Sequence, residues 1–438
     1  MYERVVFLHP DLGIGGAERL IVDAAVAVNQ SGYQVKMITN HYEPTHAFEE
    51  TQKSEFNVIS VADWFPRSVY GRFMALCAYV RLLLAAVYLI FTCNKKTDII
   101  VVDQISAPLP LLNVAGFKTL FYCHFPDLLL TDRRSHLKKM YRILIDYVEE
   151  RSISWANKIV VNSKFTAEIF RQTFSSLKNL NLEVLYPVSS VANLHLPAAV
   201  FDSKNGQSPI ANRQLCRKVL SSIDLPSSAK FVFVSINRYE RKKNLQLILF
   251  AMNRLVQHWG EYFVGEHTSC ATPQDVHVVI AGGYDTRVLE NVVYYNELVE
   301  LAQNLHIAKQ VTFVRSCPSE VKNLLIASSD AVLYTPEGEH FGIVPVEAMF
   351  LSRPVIALDS GGPRETVRHG ITGLLCPPEP KALLPEKIAE QMARFIEDPN
   401  LTVRLGRAGY RRANEKFTFN VFQAHLCDIL RRISETSS

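Results

Sequence analysis

The chain has 438 residues, 48% of them hydrophobic and 21% charged, and a formal net charge of +4. These values are near the globular average, suit two or three domains of ordinary size, and exclude a disordered or fibrous chain. So small a net charge asks for no nucleic-acid partner. The eight cysteines are scattered, without a C-x-x-C pair. A chain this long needs no disulfide staples, so reduced thiols in a cytosolic setting are expected and a zinc site is not. In that setting "NQS" at Asn29 and "NLT" at Asn400 are chance matches to the glycosylation pattern.

The opening "MYERVVFLHP" enters a strand directly, without the basic and then long apolar build of a secretory leader. "HPDLGIGGAERL" follows, where Gly13, Gly15 and Gly16 permit a tight turn into a helix. Helix N–H groups above such a turn form an anion site by geometry. The plainer alternative is a strand-to-helix turn that needs small residues. The loop has no Gly-Lys-Ser/Thr, and Arg19 takes the third place of G-x-G-x-x-G. Glu18 would crowd the pyrophosphate of a nicotinamide cofactor.

Residues 73–93, "FMALCAYVRLLLAAVYLIFTC", carry a single charge, Arg81. About 20 apolar residues span a bilayer, but a central arginine costs roughly 2.5–3.5 kcal/mol there. Arg81, Tyr88 and Thr92 share a helix face. The segment therefore reads as a helix lying on or dipping into a membrane, its polar stripe toward protein or headgroups. A buried helix of an α/β domain and a true span stay open. Further on, "DLLLTDRRSHLKKMYRILIDYVEER" spaces Arg134, Lys138 and Arg142 four apart beside Leu128, Leu129 and Leu130. Such a basic stripe suits an anionic membrane surface or a lipid pyrophosphate, or simply solvent.

Short β-branched runs at 5–9, 34–39, 57–61, 98–103, 118–123, 158–163 and 183–186 alternate with helical stretches. A second series does the same at 231–236, 276–281, 311–314, 331–334 and 355–358. Strands that are apolar on both faces and joined by helices make parallel sheets. Two doubly wound α/β domains, each Rossmann-like, are predicted. The weakly patterned "PVSSVANLHLPAAVFDSKNGQSP" is the boundary. Residues 1–187 form the first domain and include the 73–93 segment, and residues 196–415 form the second. Residues 416–438 hold a helix, "FNVFQAHLCDILRRI", with no strand after it, which must pack on something already built. "GEHTSCATPQD" reads as a surface loop.

The second domain carries the more specific chemistry. "NRYERKKNL" places Arg238 and Lys243 in the loop at the carboxyl end of a strand, where ligands of open α/β sheets bind. Two cations there suit a diphosphate. Downstream, "EHFGIVPVE" sets Glu339 in a loop and Glu347 in the first turn of a helix that Pro345 opens, with Phe341, Gly342 and Ile343 offering backbone N–H groups between them. Carboxylates accept bonds from sugar hydroxyls, and helix-start amides hold phosphate oxygens. A capping Glu347 with a solvated Glu339 is the alternative.

E-x7-E with Arg238 and Lys243 upstream and "GGPRETVRHGITGLL" downstream resembles the retaining GT-B glycosyltransferases of nucleotide-sugar family 4. The likeness extends over nearly the whole chain, through Gly15-Gly16, "YCHFPD" with His124, and "ANKIVVNSKFTAEIF". "YCHFPDLLL" and "VVNSKFTAEIF" resemble the mannosyltransferases of asparagine-linked glycosylation in particular.

The resemblance implies two Rossmann-like domains facing across a cleft that closes on binding, the first taking the acceptor and the second the nucleotide sugar, with the terminal helix crossing back to the first domain. It assigns Glu347 to the ribose, Glu339 to the transferred sugar, Arg238 and Lys243 to the donor diphosphate, and Gly342 and Ile343 to backbone contacts. Gly16, next to Gly15, would approach the diphosphate, and His124 would stand near the reacting carbon. It implies transfer of mannose from GDP-mannose with retention onto Man-GlcNAc2-PP-dolichol, by front-face attack, making α-1,3 and then α-1,6 branches at the cytosolic face of the endoplasmic reticulum membrane. The partners implied are this donor, the dolichol-linked oligosaccharide, the membrane surface and other mannosyltransferases there.

No Asp-x-Asp occurs in the sequence, so no metal or other cofactor is expected. A transferase with another nucleotide sugar and a soluble acceptor, or a non-catalytic binding subunit of this fold, are the rival readings. His340 stands where many relatives of the resembled family carry proline.

Overall fold

The computed structural model describes residues 3–70, 72–131, 136–189, 196–197, 200, 211–220, 223, 225–226, 229–263 and 271–435. Runs such as RVVFLH, DIIVVD and KIVV are buried along nearly their whole length, which fits them to the middle of a parallel sheet. Seven strands form the first: β1 Arg4–His9, β2 Gln34–Thr39, β3 Phe56–Ser60, β4 Asp98–Asp103, β5 Lys118–Cys123, β6 Lys158–Val161 and β7 Leu182–Val184. Their order is β3-β2-β1-β4-β5-β6-β7, and all pairs are parallel. The winding direction therefore reverses between β1 and β4, and the carboxyl ends of those strands mark the place where such sheets bind ligands.

Among the described residues, six helices connect these strands: α1 Gly16–Gln30, α2 Met74–Thr92, α3 Leu109–Val114, α4 Asp127–Leu130, α5 His136–Ile153 and α6 Lys164–Thr173. Leu20, Ile21 and Val28 of α1 cover one face of the sheet. Leu82 and Leu89 of α2, Leu109 of α3 and Phe170 of α6 cover the other.

The second sheet has β8 Phe231–Ile236, β9 Val276–Gly282, β10 Val311–Arg315, β11 Ala331–Tyr334, β12 Val355–Leu358 and β13 Gly373–Cys376, in the order β10-β9-β8-β11-β12-β13. Here the reversal falls between β8 and β11. Its helices are α7 Arg213–Val219, α8 Gln246–Gln257, α9 Trp259–Tyr262, α10 Leu289–Asn304, α11 Ser319–Ser328, α12 Ile343–Phe350, α13 Pro363–Thr366, α14 Leu384–Glu397 and α15 Asn400–Lys416. Leu249 and Met252 of α8 meet Phe395 of α14 in the core on one face. Leu325 and Ile326 of α11 and Ala348 of α12 fill the other.

The chain then returns to the first unit. The described residues of Met1–Val188 and Phe419–Ser438 form one unit and those of Ser189–Thr418 the other. Helix α16, Phe419–Glu435, buries Phe422, Leu426, Ile429 and Ile433 in the core that α1 lines. Gln423 donates to the Ala27 carbonyl at 2.9 Å, and Glu183 of β7 accepts from His425 at 2.8 Å and Arg432 at 2.6 Å.

Several expectations need correction. β6 stops at Val161, two residues before the predicted end, because the Ser163 side chain accepts from the Thr166 N–H and caps α6. The short run GLLC was not predicted, yet it pairs with β12 as a sixth strand. The basic stripe on α5 does not form. Arg142 turns inward, fully buried, and pairs with Asp127 at 2.9 Å and Asp146 at 3.1 Å. Lys138 is exposed, and Arg134 lies outside the described residues, as do most of the predicted boundary stretch and the first part of "GEHTSCATPQD". The outer face of α5 instead shows solvent Met140, Ile143, Leu144 and Tyr147.

On α2 the Arg81 guanidinium donates inward to the carbonyls of Asn40 at 2.7 Å and Ala62 at 3.3 Å and to Asp63 at 2.9 Å. Lys36 reaches Thr92 at 3.3 Å and lies over the Tyr88 ring. The polar stripe thus faces protein, while Leu76, Val87 and Phe91 point outward. Length and composition would let α2 cross a membrane, but part of it packs within the protein.

Candidate active site

In the second unit the two acids of "EHFGIVPVE" each hold a lysine. The Lys243 ammonium is hydrogen-bonded to Glu339. Lys243 ends a short 3-10 turn after β8, and Asn244 follows it in the left-handed region. Thr335, just past β11, donates to the Lys243 carbonyl at 2.8 Å and fixes that turn against the neighbouring strand end. The Lys243 side chain is 13% exposed and that of Glu339 25%, so the pair is sheltered but open to a ligand. Burial pushes the Glu339 carboxyl up, but the Lys243 ammonium outweighs it and holds the group below its ordinary value.

Glycines set the Glu339 loop. A Cβ on Gly361, at φ +63°, would lie 2.4 Å from the Glu339 carbonyl oxygen, and one on Gly362 would lie 2.3 Å from that of Phe341. The Gly362 N–H donates to the Glu339 carbonyl at 2.7 Å, and Ser360 accepts from the Gly338 N–H at 3.0 Å. "GGP" is therefore a cradle for the backbone of Glu339 to Phe341. Phe341 itself is buried with its ring 5.8 Å from Phe417, so its side chain anchors the loop.

Gly342 starts α12 at φ +78°, and Ile343 is the first helical residue. The helix begins two residues earlier than Pro345 suggested. Glu347 therefore sits one full turn in and not in the first turn. Its carboxylate accepts from Lys322 of α11 at 2.8 Å. Tyr334, at the end of β11, senses both acids. Burial and the charges of Glu339 and Glu347 push its phenol well above the ordinary range.

Arg238 is not drawn into this group. Its guanidinium pairs with Glu240 at 2.9 Å and is 63% exposed. Gly283, where a Cβ would come within 3.1 Å of the Arg238 side chain, lets it pass. Arg241 pairs with Glu297 at 2.7 Å.

In the first unit, Gly15 caps α1 with extended backbone, and open space lies where a Cβ on Gly13 or Gly16 would be. The anion site at this helix start is taken in part by the chain itself, because the Glu18 carboxylate folds back to where a Gly15 side chain would stand. Burial pushes Glu18 up, but His9 and its own backbone N–H hold it below its ordinary value. His124 follows β5, and its Nε2 lies 3.1 Å from Asp103 at the end of β4.

The sequence reading missed Lys322, His9 and Asp103. Lys322 belongs to no motif, and the only trace of the other two was a polar residue closing an apolar strand.

Residues 14–187 match the family model "Glycosyltransferase Family 4" and residues 221–412 match "Glycosyl transferases group 1". The human alpha-1,3/1,6-mannosyltransferase ALG2 is 44% identical over 429 residues, 96% of this chain and 94% of its own length. The Dictyostelium discoideum protein of the same name is 40% identical over 98% of both chains. This chain belongs to the ALG2 family of alpha-1,3/1,6-mannosyltransferases.

It is accordingly a glycosyltransferase, and the reading as a non-catalytic binding subunit is not favoured. Sucrose-phosphate synthase from Thermosynechococcus elongatus shares the fold, with a TM-score of 0.73 at 19% identity over 99% of this chain and 100% of that one. At that identity the likeness speaks for the fold alone, two doubly wound parallel-sheet domains of the GT-B class.

Proposed function

We propose that this enzyme moves mannose from GDP-mannose, with retention, onto Man-GlcNAc2-PP-dolichol, making α-1,3 and then α-1,6 branches. Family membership supports the sugar and the linkages. The observation that carries the chemistry is the Lys243–Glu339 pair in its Gly361-Gly362 cradle. Guanine and dolichol follow the sequence resemblance.

Cleavage of the bond between the anomeric carbon and the phosphate oxygen leaves charge on the departing GDP. Lys243 and the amides at the start of α12 are the groups suited to absorb it. Glu339 keeps the ammonium in place before the donor arrives and orients the mannose hydroxyls once Lys243 turns to the diphosphate. Arg238 joins by leaving Glu240, which its exposure permits. Glu347, held by Lys322, accepts from the ribose hydroxyls. We read His124 as a sugar-hydroxyl contact and the Gly15-Gly16 loop as a diphosphate contact. The acceptor oxygen bonds to the same face of the anomeric carbon, and its proton passes to the leaving phosphate oxygen. With cations and amides in these roles, we read the reaction as needing no divalent metal.

The acceptor's lipid implies a membrane surface, and we place the enzyme at the endoplasmic reticulum membrane, cytosolic face. Support comes from the apolar outer faces of α2 and α5 and from Leu129 and Leu130 of α4. The test incubates the full chain, in detergent with a chelator, with a synthetic Man-GlcNAc2-pyrophosphate lipid and either GDP-mannose or UDP-glucose. Two mannoses added from GDP-mannose alone, removable by linkage-specific mannosidases, is the expected result. Equal use of UDP-glucose, or silence until a divalent metal is restored, would overturn the corresponding part.

A further inference from the structure

Three polar side chains stand side by side at the carboxyl edge of the first sheet, on either side of its switch point. His9 ends β1, Asp103 ends the adjacent β4, and His124 follows the adjacent β5. His9 and Asp103 are each 1% exposed, and the His124 side chain is 21% exposed. His9 Nδ1 lies 2.8 and 3.0 Å from the two Asp103 oxygens, and His9 Nε2 lies 2.9 Å from the Asp11 carbonyl oxygen. A carboxylate and a carbonyl only accept hydrogen bonds, so both nitrogens of His9 must donate, and the ring is an imidazolium. His124 Nε2 makes its bond to the same carboxylate at 3.1 Å and must also donate. A neutral His124 then carries its lone pair on Nδ1.

We propose that His9 is a positioning residue for mannosyl transfer, a buried cation that neutralises Asp103 so that Asp103 fixes the His124 tautomer without charging the ring. The inference rests on the reading of His124 as a sugar contact. A lone carboxylate beside an imidazole favours the imidazolium form. An imidazolium at position 124 could no longer accept from a sugar hydroxyl, and it would repel the positive charge that develops on the anomeric carbon. The His9 cation on the same carboxylate cancels that pull.

The surroundings agree. Burial pushes His9 down, but Asp103 and then Glu18 outweigh it and bring the ring to about 10. Burial pushes Asp103 up, but His9 and His124 hold it below its ordinary value. Among the described residues, further titratable groups near the cluster come from α1, β5 and α5, and from the loop after β1, where the Asp11 carboxylate pairs with Arg67 at 3.4 Å. Glu18 of α1 lies 3.9 Å from His9 Nε2. Tyr122 and Cys123 of β5 are both pushed well above their ordinary values by burial, which keeps them neutral. Glu149 of α5, which accepts from the N–H groups of Asp127 and Leu128, is pushed to about 7 by burial. The Tyr122 ring lies 4.7 Å from that of His124, and Asn162 donates to the His124 carbonyl at 2.9 Å, so the ring has a fixed seat.

The test is the pH dependence of transfer by His9→Asn, whose amide still donates to Asp103 but carries no charge. The acid limb of kcat/KM should move up by about one pH unit or more, with activity recovering to within a few-fold at about pH 9. A loss that is uniform across pH, or no loss, overturns the inference. Nitrogen NMR of the histidine-labelled enzyme needs no variant. It should show His9 protonated on both nitrogens and His124 on Nε2 alone at about neutral pH. A neutral His9 overturns the inference even if His9→Asn fails to fold. Full activity of His124→Ala would instead sink the reading of His124. An inactive His124→Ala with an unshifted His9→Asn profile would sink only the role given to His9.

Discussion

Lys243 and Glu339, 96 residues apart in the chain, are hydrogen-bonded to each other at the carboxyl ends of adjacent strands. One carries the charge a departing diphosphate needs, and the other can accept from a hexose. Their pairing before any ligand arrives means that neither half-buried charge waits unpaired. On the reaction proposed above, the donor competes with Glu339 for the ammonium, which would make the pair a switch as well as a brace.

Glu347 is one turn inside α12 and held by Lys322. Glu347→Gln should raise KM for the nucleotide sugar about tenfold and leave kcat nearly unchanged, the pattern for loss of uniform binding. Lys322→Met should act in the same direction by less. Steady-state titration of the donor checks both, and a fall in kcat at constant KM would move Glu347 into the chemistry.

The cradle under the Glu339 loop predicts a backbone effect. Gly361→Ala puts a methyl group 2.4 Å from the Glu339 carbonyl at a φ of +63°. A cost of about 1–3 kcal/mol is expected, seen as a lower melting temperature together with reduced kcat. An unaffected melting curve would mean the loop does not rest there.

Docking of α16 should depend on acid. Burial pushes the Glu183 carboxyl up, but hydrogen bonds from Arg432, His425 and Lys158 outweigh this and hold it at about 2. Because the folded value is below the ordinary one, this stabilisation is complete above about pH 4.5 and fades as pH falls toward 2. Hydrogen exchange of α16 should rise over that window, and Glu183→Gln should show the faster exchange already at neutral pH.

The proposed membrane contact would rest on apolar side chains more than on charge. Ile143→Glu combined with Leu144→Glu should reduce co-flotation with lipid vesicles more than Lys138→Glu does, since one surface lysine contributes only about 1 kcal/mol. The reverse ranking would restore an electrostatic account.

What the sequence disclosed and what it hid divide along physical lines. Apolar runs such as VVFLH and IIVV declared the strands because burial on both faces leaves no alternation to misread. Glu339 stood out because a carboxylate beside Phe-Gly is poor core material, and Lys243 because two cations in a loop at the carboxyl end of a strand suit a diphosphate. Spacing alone could not show which way Arg142 points, because its partners Asp127 and Asp146 make the inward direction affordable. The His9–Asp103 pair spans 94 residues and depends on β1 lying beside β4, a matter of strand order that no local pattern encodes. Lys322 reached Glu347 for the same reason, through packing of α11 near α12.

The most direct measurement is single-turnover mannosyl transfer by folded Lys243→Gln and Glu339→Gln enzymes with GDP-mannose bound. Each should lose at least about 100-fold in rate, and the double variant should be no slower than the worse of the two, because the residues act as a unit. Transfer by either single variant within a few-fold of the unsubstituted enzyme would contradict the role assigned to the pair.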